Sequence, residues 1–133
     1  MVHRIAEIKG ITPEAQKSLA EDHITTVEQL LEATRTPAQR NAHAKKLDVS
    51  TSQLSEWINR ADLMQLKGVG TEMANLLEEC GVDSIKELRH RKAENLFTKL
   101  KETNDKEHIT HHAPTMGHVQ EWINESSTLS ALQ

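Results

Sequence analysis

Apolar residues recur along this chain at the three- and four-residue spacing of helices, and no stretch shows the strict alternation of a strand. One helical face is written by Leu54, Trp57, Ile58, Ala61 and Met64, a second by Met73, Ala74, Leu76 and Leu77. Ala93, Leu96, Phe97 and Leu100 give a third, and Met116, Val119, Trp122 and Ile123 a fourth. Start signals stand between these faces. Thr12-Pro13 and Thr36-Pro37 place a capping hydroxyl before a proline suited to the first helical position. Thr36 with Gln39, Ser50 with Gln53 and Ser84 with Glu87 have capping-box spacing, in which side chains take up otherwise orphan amides. Gly81 falls where a helix needs a left-handed residue after its end, and His23 holds that place in an earlier segment. The pattern predicts an all-α chain of short helices.

The pattern also repeats. "IKGITPEAQKSLAEDHITTVEQL" (8–30) aligns without a gap onto "LKGVGTEMANLLEECGVDSIKEL" (66–88), an offset of 58. "EWIN" occurs at 56–59 and again at 121–124, an offset of 65, so the second copy carries seven extra residues, expected to loop out near 103–115. Each copy reads as five short helices. The last helix of the first copy starts near Thr51 and meets no breaker until Gly68, so it is expected to run on into the second copy as a continuous connecting helix. The units are predicted at 1–62 and 63–126, with a C-terminal tail at 127–133 and with Trp57 and Trp122 in equivalent, buried places.

Composition narrows the function. With 133 residues and 36% hydrophobic content, two small units gain by packing on each other. There is no apolar run of about 18 residues, so no membrane span is expected. No secretory pattern appears at the start, and Cys80 is the single cysteine, which fits a reducing cytoplasm. The aromatic residues are Trp57, Trp122 and Phe97, all at apolar helical positions, whereas single-strand binders need exposed rings to stack bases. Net charge is -4; residues 1–60 balance eight basic against eight acidic side chains, and residues 61–133 carry eight against twelve. The more acidic half holds the better hairpin motif, which weighs against simple electrostatic attraction to nucleic acid.

The order of "LKGVG", Ala74, Leu76-Leu77, Gly81-Val82, Ser84 and Glu87-Leu88, followed by "PTMGHVQEWI", resembles an uncharacterised, mainly bacterial family of tandem helix-hairpin-helix units, the domain of unknown function 4332. With its degenerate first copy the resemblance covers nearly the whole chain. It implies a helical fold of two SAM-like units, similar to the paired helix-hairpin-helix domains of recombinases and repair proteins, and it brings no established function.

In DNA-binding relatives of that fold, the amides of a Gly-apolar-Gly hairpin and a neighbouring cation hold a phosphate. The residues carried over are Gly68, Val69 and Gly70, with Lys67 as the cation and Thr71 opening the next helix. Glycines suit such a turn because the backbone can approach a ligand closely, and the helix that follows presents free amides. In the first copy the counterparts are Lys9, Gly10 and Ile11, but Thr12 replaces the second glycine and Pro13 removes an amide. Glu72, Glu78 and Glu79 surround the better hairpin. The basic run Arg89-His90-Arg91-Lys92 reads as a helix C-terminus, where cations complement the dipole, and Lys45-Lys46 has the same reading. His108, His111, His112 and His118 crowd one segment without a zinc-type spacing, and Cys80 reads as a packing residue. No nucleophile, base and orienting group are grouped, so no enzyme, metal or cofactor is expected. The expected function is weak, sequence-independent contact with double-stranded DNA. The alternative is a protein-interaction adaptor that keeps the fold without nucleic acid. Nothing in the pattern sets an oligomeric state.

Overall fold

The structure is a computed structural model in which residues 3–129 are described; the end of the expected tail, 130–133, lies outside them. Eight α-helices form among the described residues: α1 Pro13–Glu21, α2 Val27–Ala33, α3 Pro37–Leu47, α4 Thr51–Leu63, α5 Thr71–Glu79, α6 Ile85–Leu88, α7 Ala93–Glu107 and α8 Met116–Ser126. A single 3₁₀ turn, Ile5–Glu7, precedes them. No strand forms there; one isolated antiparallel bridge joins Arg4 and Thr26. The expected starts are the observed ones. Thr12, Thr36, Ser50 and Ser84 each cap a helix through the side-chain oxygen, and Thr26 and Thr115 do the same. Both left-handed positions are taken as read, His23 at φ 63° and Gly81 at φ 89°.

α4 lies at the centre, packed on α2, α3 and α5, while α7 and α8 pack on each other beside α5 and α6. Its buried face, Leu54, Trp57, Ile58, Ala61, Leu63 and Met64, joins Leu19, Leu30, Leu76, Leu77, Leu88 and Leu100 in one core. Trp57 is 1% exposed and Trp122 4%, so both rings are buried as expected.

Helix bounds follow the sequence offsets. α1 and α5 are displaced by 58 residues at both ends, α2 and α6 by 58 at their starts, and α4 and α8 by 65 at theirs. Three expectations need correction. Five helices are expected in each of 1–62 and 63–126, but four α-helices start in each among the described residues. The first position of the first set is the 3₁₀ turn Ile5–Glu7, and α4 ends before it can open the second. The connecting helix does not continue to Gly68; α4 ends at Leu63 and is followed by a turn. There the Gln65 side-chain amide donates to the Asp62 carbonyl at 3.2 Å and to its carboxylate at 2.9 Å, competing with further helical bonds, and the turn brings Leu66 and Val69 into the core. The residues near 103–115 do not all loop out. α7 runs to Glu107, fifteen residues against eleven in α3, and the segment outside helices covers 108–115. Asn104, 8% exposed, donates to the Thr110 carbonyl at 3.2 Å and accepts the Thr110 amide at 2.8 Å, so the longer helix is what pins the loop.

Candidate nucleic-acid interface

Two hairpins turn on glycines in the left-handed region, Gly10 at φ 87° and Gly68 at φ 83°, where an L side chain is strained. In each the next residue is a plug. The Ile11 amide donates to the Ile8 carbonyl at 3.2 Å, the Val69 amide to the Leu66 carbonyl at 3.1 Å, and both side chains are buried. The amides of Ile11 and Val69 are therefore spent on the turn.

The hairpins differ at the next step. In the first, the Thr12 hydroxyl accepts the Ala15 amide at 3.1 Å and Pro13, at the first helical position, has no amide, so two donors are withdrawn while those of Gly10, Thr12 and Glu14 keep no protein acceptor among the described residues. In the second, Gly70 caps α5 with no side chain. The first backbone bond of that helix is Ala74 to the Gly70 carbonyl at 2.9 Å. Among the described residues, the amides of Gly68, Gly70, Thr71, Glu72 and Met73 have no protein acceptor. They border an open groove of about 550 Å³ lined by Gly68, Gly70, Thr71, Glu72, Met73, Thr110, His111 and His112.

The turn itself is held from both sides. Glu125 Oε1 accepts the Lys67 amide at 3.0 Å, and the Trp122 indole Nε1 donates to the Lys67 carbonyl at 2.9 Å. The Lys67 side chain is left exposed, outside any ion pair among the described residues. The Thr71 hydroxyl donates to the Glu7 carbonyl at 2.5 Å, which docks the N-terminal segment on the hairpin.

The acids around this place differ from those the sequence groups there: Glu125 comes onto the turn from α8, and Glu78 is neutralised. Glu78 is paired with Arg60 at 2.8 Å, while Glu72 and Glu79 stay exposed and Glu72 lines the groove. The two arginines of the basic run are engaged internally, while His90 and Lys92 stay exposed. Arg89 donates to the carbonyls of Ser126, at 2.5 Å, and Leu129, beyond the end of α8, and Arg91 holds Glu87 and the Gly81 carbonyl at 3.1 Å each. Lys46 bonds Asp22 at 2.6 Å, and this contact holds the Asp22 carboxyl below its ordinary range.

Two features had no local signal. His111 and His112 reach the groove only because α7 is long enough to fold the loop back onto α5, a matter of helix length rather than motif. Asp62, a carboxylate with no exposed surface, accepts the Ile85 amide at 2.9 Å, and burial pushes its carboxyl up to about 6. His118 lies over Trp122 with ring centroids 6.3 Å apart. Among the described residues no three histidine, cysteine or acidic side chains come together as a metal-ligand set. Cys80 is buried at the end of α5, its Sγ 3.7 Å from the Lys99 carbonyl, and burial pushes the thiol up. No described helix is long and apolar enough to cross a membrane.

Residues 9–129 match the family described as a domain of unknown function (DUF4332). No curated protein and no solved structure matches the chain.

Proposed function

We propose that this chain, which belongs to the DUF4332 family, is a non-enzymatic module of two tandem helix-hairpin-helix units that holds the backbone of double-stranded DNA through its second hairpin. The tandem reading is supported by the equal offsets of α1 with α5 and of α2 with α6, and by the same glycine φ in both hairpins. The observation that carries the functional reading is the bare cap at Gly70. Six of the eight described α-helices are capped by a serine or threonine side chain, whereas the helix after the second hairpin presents unfilled amides to an open groove. Amides at a helix N-terminus favour an anion, and the exposed Lys67 adds a cation beside them. Backbone donors of this kind hold phosphate and carry no sequence information. The first hairpin offers two donors fewer, since Thr12 takes up the Ala15 amide and Pro13 has none.

A second reading, a protein-interaction adaptor, draws on the Glu125 carboxylate that already fills the Lys67 amide and on the net charge of -4. Gly70→Asp separates the two. Gly70 has φ -101°, and an added Cβ would meet only the His3 ring at 3.9 Å, so an aspartate fits. Its carboxylate would cap the α5 amides and repel a phosphate. With folding checked by circular dichroism, anisotropy of a labelled duplex should show binding by the parent chain and none by the variant. Equal binding by both would remove the hairpin from any DNA contact, and no binding by either would leave the adaptor.

A further inference from the structure

Arg60 and Glu125 stand at the same step, three residues after Trp57 and Trp122, and both side chains reach the hairpin lysine of their own unit. They do so with opposite charge. Glu125 takes the Lys67 amide and leaves the Lys67 carbonyl to the Trp122 indole. Arg60 instead donates from Nη1 to the Lys9 carbonyl at 2.9 Å. Its Nε donates to Glu78 at 2.8 Å and its Nη2 to the same carboxylate at 3.4 Å, so one guanidinium ties the first hairpin to α5.

The consequence appears at Trp57. Its Nε1 is buried without a hydrogen-bond partner, the one such side-chain atom among the described residues. Yet it stands where its counterpart stands: a Cβ built on Gly10 would lie 3.9 Å from Trp57 Nε1, and one built on Gly68 would lie 4.0 Å from Trp122 Nε1. The Trp122 indole in that place bonds its hairpin carbonyl; the Trp57 indole does not, and the Arg60 guanidinium lies on that carbonyl instead. A buried donor without an acceptor is costly, so the resting arrangement holds an unmade bond in reserve.

We propose that Arg60 is a transferable phosphate contact. At rest it clasps the Lys9 carbonyl and Glu78; when a backbone phosphate of the duplex approaches the first hairpin, the guanidinium moves onto it and the Trp57 indole closes on the Lys9 carbonyl. The hand-over leaves no carbonyl unsatisfied and fills the Trp57 vacancy. Glu78 stays in contact with water, since its side chain is 27% exposed. A guanidinium suits the transfer because its fork of donors matches a phosphate as well as a carboxylate. The first hairpin would then contribute through side chains, Arg60 with the exposed Lys9, in place of the two donors that Thr12 and Pro13 withdraw. The proposal rests on the reading that the chain binds duplex DNA.

The indole N–H resonances of the ¹⁵N-labelled full chain test it, Trp57 and Trp122 being assigned by Trp57→Phe. In Arg60→Met the Trp57 proton should move downfield toward the Trp122 position and exchange with water more slowly. In the parent chain the same move should appear as a short duplex is titrated to saturation, while Trp122 keeps its hydrogen-bonded character. Glu78→Gln, which loosens the clasp and keeps the side-chain shape, should bring the move at lower duplex concentration, and it decides the matter if Arg60→Met does not fold. A Trp57 proton that stays unmoved in Arg60→Met, or in Glu78→Gln saturated with duplex, overturns the hand-over. A proton that moves in the variants but not in the duplex-saturated parent overturns the phosphate contact, making Arg60 a fixed staple and leaving the Gly70 site untouched. If no duplex binds the parent chain, the transfer falls with the DNA reading, and the anisotropy experiment on Gly70→Asp shows that failure separately.

Discussion

The Asp62 carboxylate accepts the amide of Ile85 across 23 residues, Oδ2 to N at 2.9 Å, from a position with no exposed surface. The corresponding amide 58 residues earlier, that of Val27, is accepted by the His3 carbonyl at 2.9 Å. The start of α2 is thus closed with backbone and that of α6 with a buried acid. Gln65 Nε2 donates to the remaining Asp62 oxygen at 2.9 Å, so the carboxylate is bonded on both sides and still desolvated.

Desolvation outweighs these bonds and raises the Asp62 carboxyl to about 6, against an ordinary 3.8. A raised acid binds its proton more tightly when folded. Its contribution to stability is therefore full below the unfolded value and is lost as pH rises through the window from about 4 to about 6. The loss is at most about 3 kcal/mol. Asp62→Asn keeps an acceptor for Ile85 and removes the titration. Urea unfolding at pH values on either side of the window should show a smaller fall for the variant than for the parent, and the variant should be at least as stable at neutral pH. Identical pH profiles would show that Asp62 does not titrate there. Glu7 shifts the opposite way, lowered mainly by the Arg4 amide, so its share of stability is lost on acidification and is common to both proteins.

The hairpin glycines should differ in kind. Gly68 lies at φ 83°, so Gly68→Ala should cost about 1–2 kcal/mol through backbone strain. Gly70 lies at φ -101° with room for a Cβ. Gly70→Ser, by restoring the kind of cap that Thr12 gives α1, should be neutral or stabilising by a few tenths of a kcal/mol. Thermal unfolding of the two variants side by side decides this. A Gly70→Ser protein less stable than Gly68→Ala would mean that the α5 start cannot accept a cap.

Local features of the fold were legible because local physics fixes them. Thr12-Pro13, Thr36 with Gln39 and Ser84 with Glu87 cap helices through bonds three residues long, and His23 and Gly81 end helices by their own φ. The end of α4 was not legible, since Gln65 folding back on Asp62 depends on Asp62 being buried against Ile85. Nor was the helical state of 103–107, where a polar run reads as loop; it is tied down by Asn104 bonding Thr110. At the candidate site, the two donors missing from the first hairpin could be read from Thr12 and Pro13. The Arg60 clasp joins residues 51 and 18 positions away, and no spacing rule reaches that far.

The two tryptophans should respond unequally to the same change. Trp57 is the more buried, but its Nε1 has no partner, whereas Trp122 Nε1 donates to Lys67 at 2.9 Å. Replacing either by Phe removes similar ring volume. Trp122→Phe also removes a hydrogen bond, and Trp57→Phe removes an unsatisfied donor. Trp122→Phe should therefore be the more destabilising, by about 1 kcal/mol or more in chemical denaturation. The reverse order would mean that Trp57 has a partner in solution.

The DNA reading is tested most sharply by charge at the hairpins. If the amides beside Gly70 and the Lys67 side chain hold phosphate, few phosphates are neutralised, and the salt dependence of duplex binding should be shallow, with about 2–4 ions released. Lys67→Glu should weaken all duplex sequences alike and reduce that slope by about one. Lys9→Glu should do less, because Thr12 and Pro13 leave two donors fewer beside it. Glu72→Gln should strengthen binding, since Glu72 lines the groove and faces the same phosphate. All three variants alter exposed side chains, so folding should survive and be confirmed by circular dichroism. Anisotropy titrations at two salt concentrations read every arm. A parent chain that binds no duplex even at low salt, with Lys67→Glu and Glu72→Gln indistinguishable from it, would reject the phosphate grip. The hairpin would then act as a joint between α4 and α5, and the groove beside it would be left to a protein partner.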